Sequence, residues 1–184
     1  MDKIKPLFTA TATATGGRNG HTESSDGVVA ADLSVPKEMG GAGKPGTATP
    51  EHLFAAGYAA CFGGALDFVG KQHKQDASEA KVTCAVSIGP REGGGFGLAV
   101  RMHVEDKSLP QRELEKLVEE AHAKICPYSH ATRGNVVLLQ CWGPLPRQKP
   151  ARGFLIEKRK RGWGSLETTP PDTQNRRGDH SKPC

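Results

Sequence analysis

The chain has 184 residues, with 25 Lys and Arg against 20 Asp and Glu, a formal net charge of +5. That length suits one domain with an appendage and is enough to bury a core. The positive excess is local: residues 1–140 hold 15 Lys and Arg against 16 Asp and Glu, and residues 141–184 hold 10 against 4. The body therefore has no electrostatic case for binding nucleic acid.

The first twenty residues lack the charged, apolar and small-residue order of a signal peptide. Residues 7–15, LFTATATAT, alternate with β-branched threonines and predict a strand. GGRNG, residues 16–20, predicts a turn in which the glycines and Asn19 are able to take positive φ. Residues 21–25 and 28–35 predict two more strands joined at Asp26-Gly27. A glycine-rich loop over residues 39–49 follows. Its GAGKPGT is no phosphate loop, because Pro45 stands where Ser or Thr is required and Glu38 where the distal glycine belongs.

Residues 49–62, TPEHLFAAGYAACF, open a helix: Thr49 is a good N-cap, Pro50 suits the first turn and Glu51 complements the dipole. Leu53, Phe54, Ala55, Ala56, Tyr58, Ala59 and Ala60 are apolar nearly all round, which predicts a buried helix reaching about Lys74. Cys61 lies deep inside it. No apolar run approaches the ~20 residues that span a bilayer.

Residues 81–89 and 96–105 predict a hairpin turning at Gly93, Gly94 and Gly95, with Cys84 beside Val82 and Val86 as core. Ser108-Leu109-Pro110-Gln111 has capping-box spacing. It opens an amphipathic helix carrying Leu114, Leu117, Val118, Ala121 and Ile125 at helical spacing. Pro127 ends that helix and leaves Cys126 at its edge. Residues 136–139 predict a short last strand, completing an α+β order with no βαβ repeat. From Cys141 the hydrophobic period disappears, and residues 141–184 contain six of the 13 prolines and both tryptophans. The reading is a body over 1–140 and a disordered basic tail over 141–184.

The five cysteines, Cys61, Cys84, Cys126, Cys141 and Cys184, form no C-x-x-C pair and no secreted disulfide framework. Together with the missing leader, they predict a cytoplasmic protein whose cysteines are reactive or metal-bound. His122, Cys126 and His130 are spaced i, i+4, i+8, but Pro127 interrupts the helix before His130 and no fourth ligand is evident. No metal is expected.

GGRNG, TPEHLFAAGYAACF, GGGFGLAV and CPYSHATRGN occur in that order over roughly residues 6–136. Together they resemble the organic hydroperoxide resistance subgroup of the OsmC-like family. The resemblance implies antiparallel strands around a long buried central helix, in an intertwined homodimer. It implies a thiol peroxidase that reduces organic hydroperoxides to alcohols. It also implies that no cofactor is bound and that a lipoyl dithiol, carried on a lipoylated protein, serves as external reductant. Carried over by position, Cys61 is the reactive and Cys126 the resolving cysteine, with Arg18 and Glu51 beside them.

The chemistry agrees. A thiolate cleaves the O–O bond, whereas a free thiol of pKa ~8.5 is mostly protonated at neutral pH and burial raises it further. A guanidinium favours the thiolate, and Glu51 would hold the fork of Arg18 in place. Taken singly, Arg18 also reads as a solvated loop residue, Glu51 as a helix-dipole partner and Cys126 as a plain helix end. His52 and His130 stand where amide side chains are common in the family, and the chain departs from the family pattern after Val136. The alternative is a non-enzymatic protein of the same fold whose tail, through Lys158-Arg159-Lys160-Arg161 beside Trp163, binds nucleic acid or anionic membrane.

Helical geometry makes one further demand. Ten residues separate Glu51 from Cys61, which is ~15 Å along an unbroken helix and a different face. If Arg18 and Glu51 serve Cys61, either the helix is broken or the pair comes from a second subunit of a symmetric dimer.

Overall fold

The computed structural model describes residues 3–142. Two three-stranded sheets and one long helix form its framework. The first sheet is antiparallel, in the order β1 (Ala12–Thr15), β2 (His21–Ser24), β3 (Ala30–Asp32). β1 occupies only the last part of the expected strand. The turn at GGRNG places Gly16 and Gly17 at φ 76° and 58°, a region that glycine enters without penalty. Asn19 does not take positive φ. Its side-chain oxygen instead accepts the Val35 N–H at 3.0 Å, tying the turn to the segment beyond β3. Little of the described chain covers this sheet, and Ile4, Leu7 and Phe8 ahead of it are 84%, 96% and 85% exposed.

α1 (Pro50–Gln72) follows from strong end signals. Thr49 Oγ1 accepts the His52 N–H at 3.3 Å, and His52 Nδ1 accepts the Thr49 N–H at 3.0 Å. His52 thus fills the capping-box place usually taken by Glu or Gln. The helix runs unbroken for 23 residues and is long and apolar enough to cross a bilayer, contrary to the sequence expectation. Its alanines, with Leu53, Phe54, Phe62, Leu66, Phe68 and Val69, supply that apolar character, although Asp67 and the glycines interrupt the run. Tyr58, Phe62, Leu66 and Val69 are fully buried on the face that packs on β4, α2 and the turn after it. The helix is not buried all round within one chain, however. Ala56, Ala60, Gly64 and Phe68, four residues apart, form an exposed stripe.

β4 (Lys81–Pro90) and β5 (Phe96–Glu105) form the expected hairpin, in register from Lys81↔Glu105 to Pro90↔Phe96. Cys84 lies within the core packing beside Val82 and Val86. β6 (Val137–Trp142) pairs with β5 in parallel, from Ala99↔Val137 to Val104↔Trp142. This makes one β–α–β crossover and no repeat of it, and the pair departs from the otherwise antiparallel pattern. A parallel partner requires a long connection, which the helices between β5 and β6 supply. β6 also extends two residues past the expected end of the body at residue 140.

α2 (Gln111–Glu120) buries Leu114, Leu117 and Val118 as the spacing predicts. Its capping box does not form. Asp106 accepts the Ser108 hydroxyl at 2.6 Å and the N–H groups of Ser108 and Leu109 at 2.7 and 2.9 Å, so Ser108 faces back toward β5 and Pro110 starts the helix uncapped. One π-helical turn, Ala121–Ile125, then leads to Cys126 and to α3 (Pro127–Thr132). Pro127 ends one helix and opens the next.

Candidate active site

Cys61 and Cys126 are 65 positions apart, yet their sulfurs are 3.7 Å apart. Cys61 sits mid-way along α1 on the side facing α3. Cys126 occupies the corner between the π turn and α3, with its backbone extended at φ −70°, ψ 116°. Its N–H donates to the Ala121 carbonyl at 2.8 Å, a bond reaching back five residues that exists because the last turn is widened. Its sulfur accepts the Ser129 N–H at 3.5 Å. Cys126 is buried and Cys61 partly so.

Burial pushes the Cys61 thiol up, the backbone N–H of Tyr128 pulls it down, and the neighbouring Cys126 raises it again. Arg18 is not among the groups acting on that sulfur. The Arg18 guanidinium forks onto Glu51 instead, at 2.9 and 2.6 Å, from a side chain 35% exposed to one 12% exposed. The fork holds the Glu51 carboxyl at about 2 against burial, which opposes it. The same bond raises the Arg18 guanidinium. The sequence-expected residues thus gather into two pairs, Cys61 with Cys126 and Arg18 with Glu51. An unbroken α1 holds Glu51 ~15 Å from Cys61 along its axis.

Two features beside the sulfurs were not foreseen. The Tyr128 ring lies over Gly57, where an added Cβ would come within 3.3 Å of the phenol oxygen, and stacks on Phe54 at 6.0 Å between centroids. Tyr58 is buried with its hydroxyl 3.0 Å from Ser129 Oγ and 3.2 Å from Thr132 Oγ1. The available signal was spacing, since Tyr58 precedes Cys61 by three residues and Ser129 and Thr132 follow Cys126 by three and six. A cavity of about 600 Å³ is lined by Asp76, Glu79, Lys81, Glu105, Asp106, Lys107 and Ser108 and includes none of the four expected site residues. Among the described residues no three His, Cys, Asp or Glu side chains are arranged to hold a metal. Burial and then Arg133 lower the basicity of His122.

A sequence model of the OsmC-like protein family matches residues 41–139. The organic hydroperoxide resistance protein of Xanthomonas axonopodis pv. citri (strain 306) is 50% identical over 133 residues, covering 72% of this chain and 92% of that protein. The chain belongs to the OsmC-like family, in its organic hydroperoxide resistance subgroup. OhrB of Bacillus subtilis (strain 168) is 47% identical over 131 residues, 71% of this chain and 93% of that one. Its crystal structure superposes with a TM-score of 0.68 over 75% of this chain and all of that chain, at 45% identity. An organic hydroperoxide resistance protein OsmC from Legionella pneumophila gives a TM-score of 0.71 over 76% of this chain and all of that chain, at 44% identity. These relatives share the mixed helix-and-strand fold.

Proposed function

We propose that this chain serves organic hydroperoxide resistance as a two-cysteine peroxidase. The observation that carries the reading is the 3.7 Å approach of the Cys61 and Cys126 sulfurs across the α1–α3 junction. A disulfide at ~2.05 Å needs a closure of under 2 Å from there. The names of the relatives supply the substrate class.

The cycle has three steps. Cys61 thiolate attacks one peroxide oxygen, the O–O bond breaks, and the alkoxide leaves as alcohol after taking a proton; Cys61 is now a sulfenic acid. The Cys126 sulfur displaces hydroxide from it, which leaves as water with the Cys126 proton, forming the Cys61–Cys126 disulfide. An external dithiol then reduces this disulfide to two thiols and is itself oxidised to a disulfide. A lipoyl dithiol on a lipoylated protein is the reductant implied by the resemblance, and cytoplasmic location fits that chemistry.

A symmetric homodimer completes the site. α1 is unbroken, so the alternative of a kink bringing Glu51 to Cys61 drops out. The Arg18–Glu51 pair of one subunit would serve the Cys61 of the other. The exposed stripe Ala56, Ala60, Gly64 and Phe68 and the largely uncovered β1–β3 sheet are surfaces such a partner would bury. The basic run Lys158–Arg161 invoked for nucleic acid or membrane binding lies outside the described residues, and no observation favours that reading.

The test is turnover of an alkyl hydroperoxide with dihydrolipoamide as reductant. Wild type should consume peroxide, and Cys61→Ser should not. A Cys61→Ser variant as active as wild type would refute the assignment.

A further inference from the structure

Building on the two-cysteine cycle proposed above, we propose that Tyr58 is a positioning residue for its second step. Its phenol keys α3 to α1 so that Cys126 stays poised on Cys61. Tyr58 and Cys61 share one face of α1. Ser129 and Thr132 of α3 present their hydroxyls to Tyr58, while Cys126, just ahead of them, presents its sulfur to Cys61. Besides the packing of the Tyr128 ring on α1, the two elements therefore meet at two polar points, one of oxygen and one of sulfur.

The proton count gives the oxygen point a direction. Thr132 spends its hydroxyl proton on the Tyr128 carbonyl at 2.8 Å. Its oxygen then accepts from the Tyr58 O–H at 3.2 Å, and the phenol oxygen accepts from the Ser129 O–H at 3.0 Å. This is the arrangement in which all three contacts are satisfied at once. Tyr58 and Ser129 have no exposed surface, so water offers no substitute partner, and an unmade bond there carries the full desolvation cost.

The chain ends beside the sulfurs. Thr132 holds the Tyr128 carbonyl, the Tyr128 N–H acts on Cys61, and the Ser129 N–H reaches Cys126. α3 has six residues, too few to hold its own place, and is bounded by Pro127 and by Gly134 at φ 78°. Its position depends on what it touches, and its buried polar anchor is Tyr58. When Cys61 is a sulfenic acid, the Cys126 sulfur must displace hydroxide along the S–O axis, and a drifting α3 loses that alignment.

The experiment is Tyr58→Phe in the full-length protein, mixed rapidly with one equivalent of an alkyl hydroperoxide. Cys61 oxidation and disulfide formation are timed separately by intact mass, with a 1,3-dione present to trap sulfenic acid. The expected result is Cys61 oxidation close to wild type, disulfide formation about tenfold or more slower, the equivalent of one unmade buried hydrogen bond, and trapped sulfenic acid. Thr132→Val should reproduce this and Thr132→Ser, which keeps the hydroxyl, should restore the wild-type rate; this pair also decides the matter if Tyr58→Phe does not fold. Slowing of both steps by one factor, or unchanged disulfide formation, would overturn the proposal. A wild-type protein forming no Cys61–Cys126 disulfide would overturn the two-cysteine cycle along with it.

Discussion

At the scale of single residues, the site poses one electrostatic problem, which is that burial makes Cys61 a poorer nucleophile. Among the described residues of one chain, the Tyr128 N–H favours its thiolate, while Arg18 is engaged with Glu51. If the guanidinium of a second subunit supplies the rest, Arg18→Ala should slow Cys61 oxidation by on the order of a hundredfold. It should also move the inflection of Cys61 alkylation to higher pH. An unchanged alkylation profile would remove Arg18 from the mechanism. Glu51 gives a second readout. Its carboxyl is held at about 2, below its unfolded value, so the stability it contributes is complete above the ordinary carboxylate range of ~4.3. That contribution is lost as pH falls from there toward 2. Urea-unfolding midpoints should therefore drop more steeply over this window in wild type than in Glu51→Gln. The effect should be modest, because Arg18 is 35% exposed and solvent screens the pair. Parallel slopes would contradict it.

At the scale of elements, the long helix depends on close approaches that its glycines permit. A Cβ on Gly70 would stand 2.8 Å from the Gln75 carbonyl oxygen and 3.2 Å from the Ala77 Cβ. Gly70→Ala should therefore lower unfolding stability by about 1–3 kcal/mol, even though alanine is the better helix former. A gain in Tm would show that the 73–77 turn yields. Which elements were legible follows from how local their causes are. Thr49, Pro50 and Glu51 announced α1, and the Gly93–Gly95 run announced the β4–β5 hairpin. The capping box at Ser108 misled because Asp106, two residues earlier, takes the Ser108 hydroxyl. The π turn left no local mark, since residues 121–125 read as ordinary helix. The parallel partner of β6 was equally hidden, because an apolar period identifies a strand and says nothing of its neighbour. The approach of Cys61 to Cys126 spans 65 positions and was reachable only through the motif resemblance, while the Tyr58 anchor was written in spacings of three and six that carry meaning only once α1 and α3 are placed.

At the scale of the whole molecule, the single chain leaves its β1–β3 sheet largely uncovered and its central helix with an exposed stripe. The shared-site dimer proposed above would cover both and would bring an Arg18–Glu51 pair to Cys61. Mixing inactive Cys61→Ser subunits with slowed Arg18→Ala subunits under exchange conditions should raise the activity above that of Arg18→Ala alone, because each mixed dimer holds one site with both groups intact. Full activity from a protein that sediments as a monomer would exclude sharing. Beneath the assembly question lies the claim that Cys61 and Cys126 are partners in one redox cycle. Intact-mass analysis after one equivalent of an alkyl hydroperoxide tests it most directly. The account predicts a loss of about two mass units from a Cys61–Cys126 disulfide, and a gain of about sixteen at Cys61 in Cys126→Ser, where the oxidation stops at sulfenic acid. A wild-type protein that keeps its reduced mass, or that joins Cys61 to any cysteine other than Cys126, would contradict it.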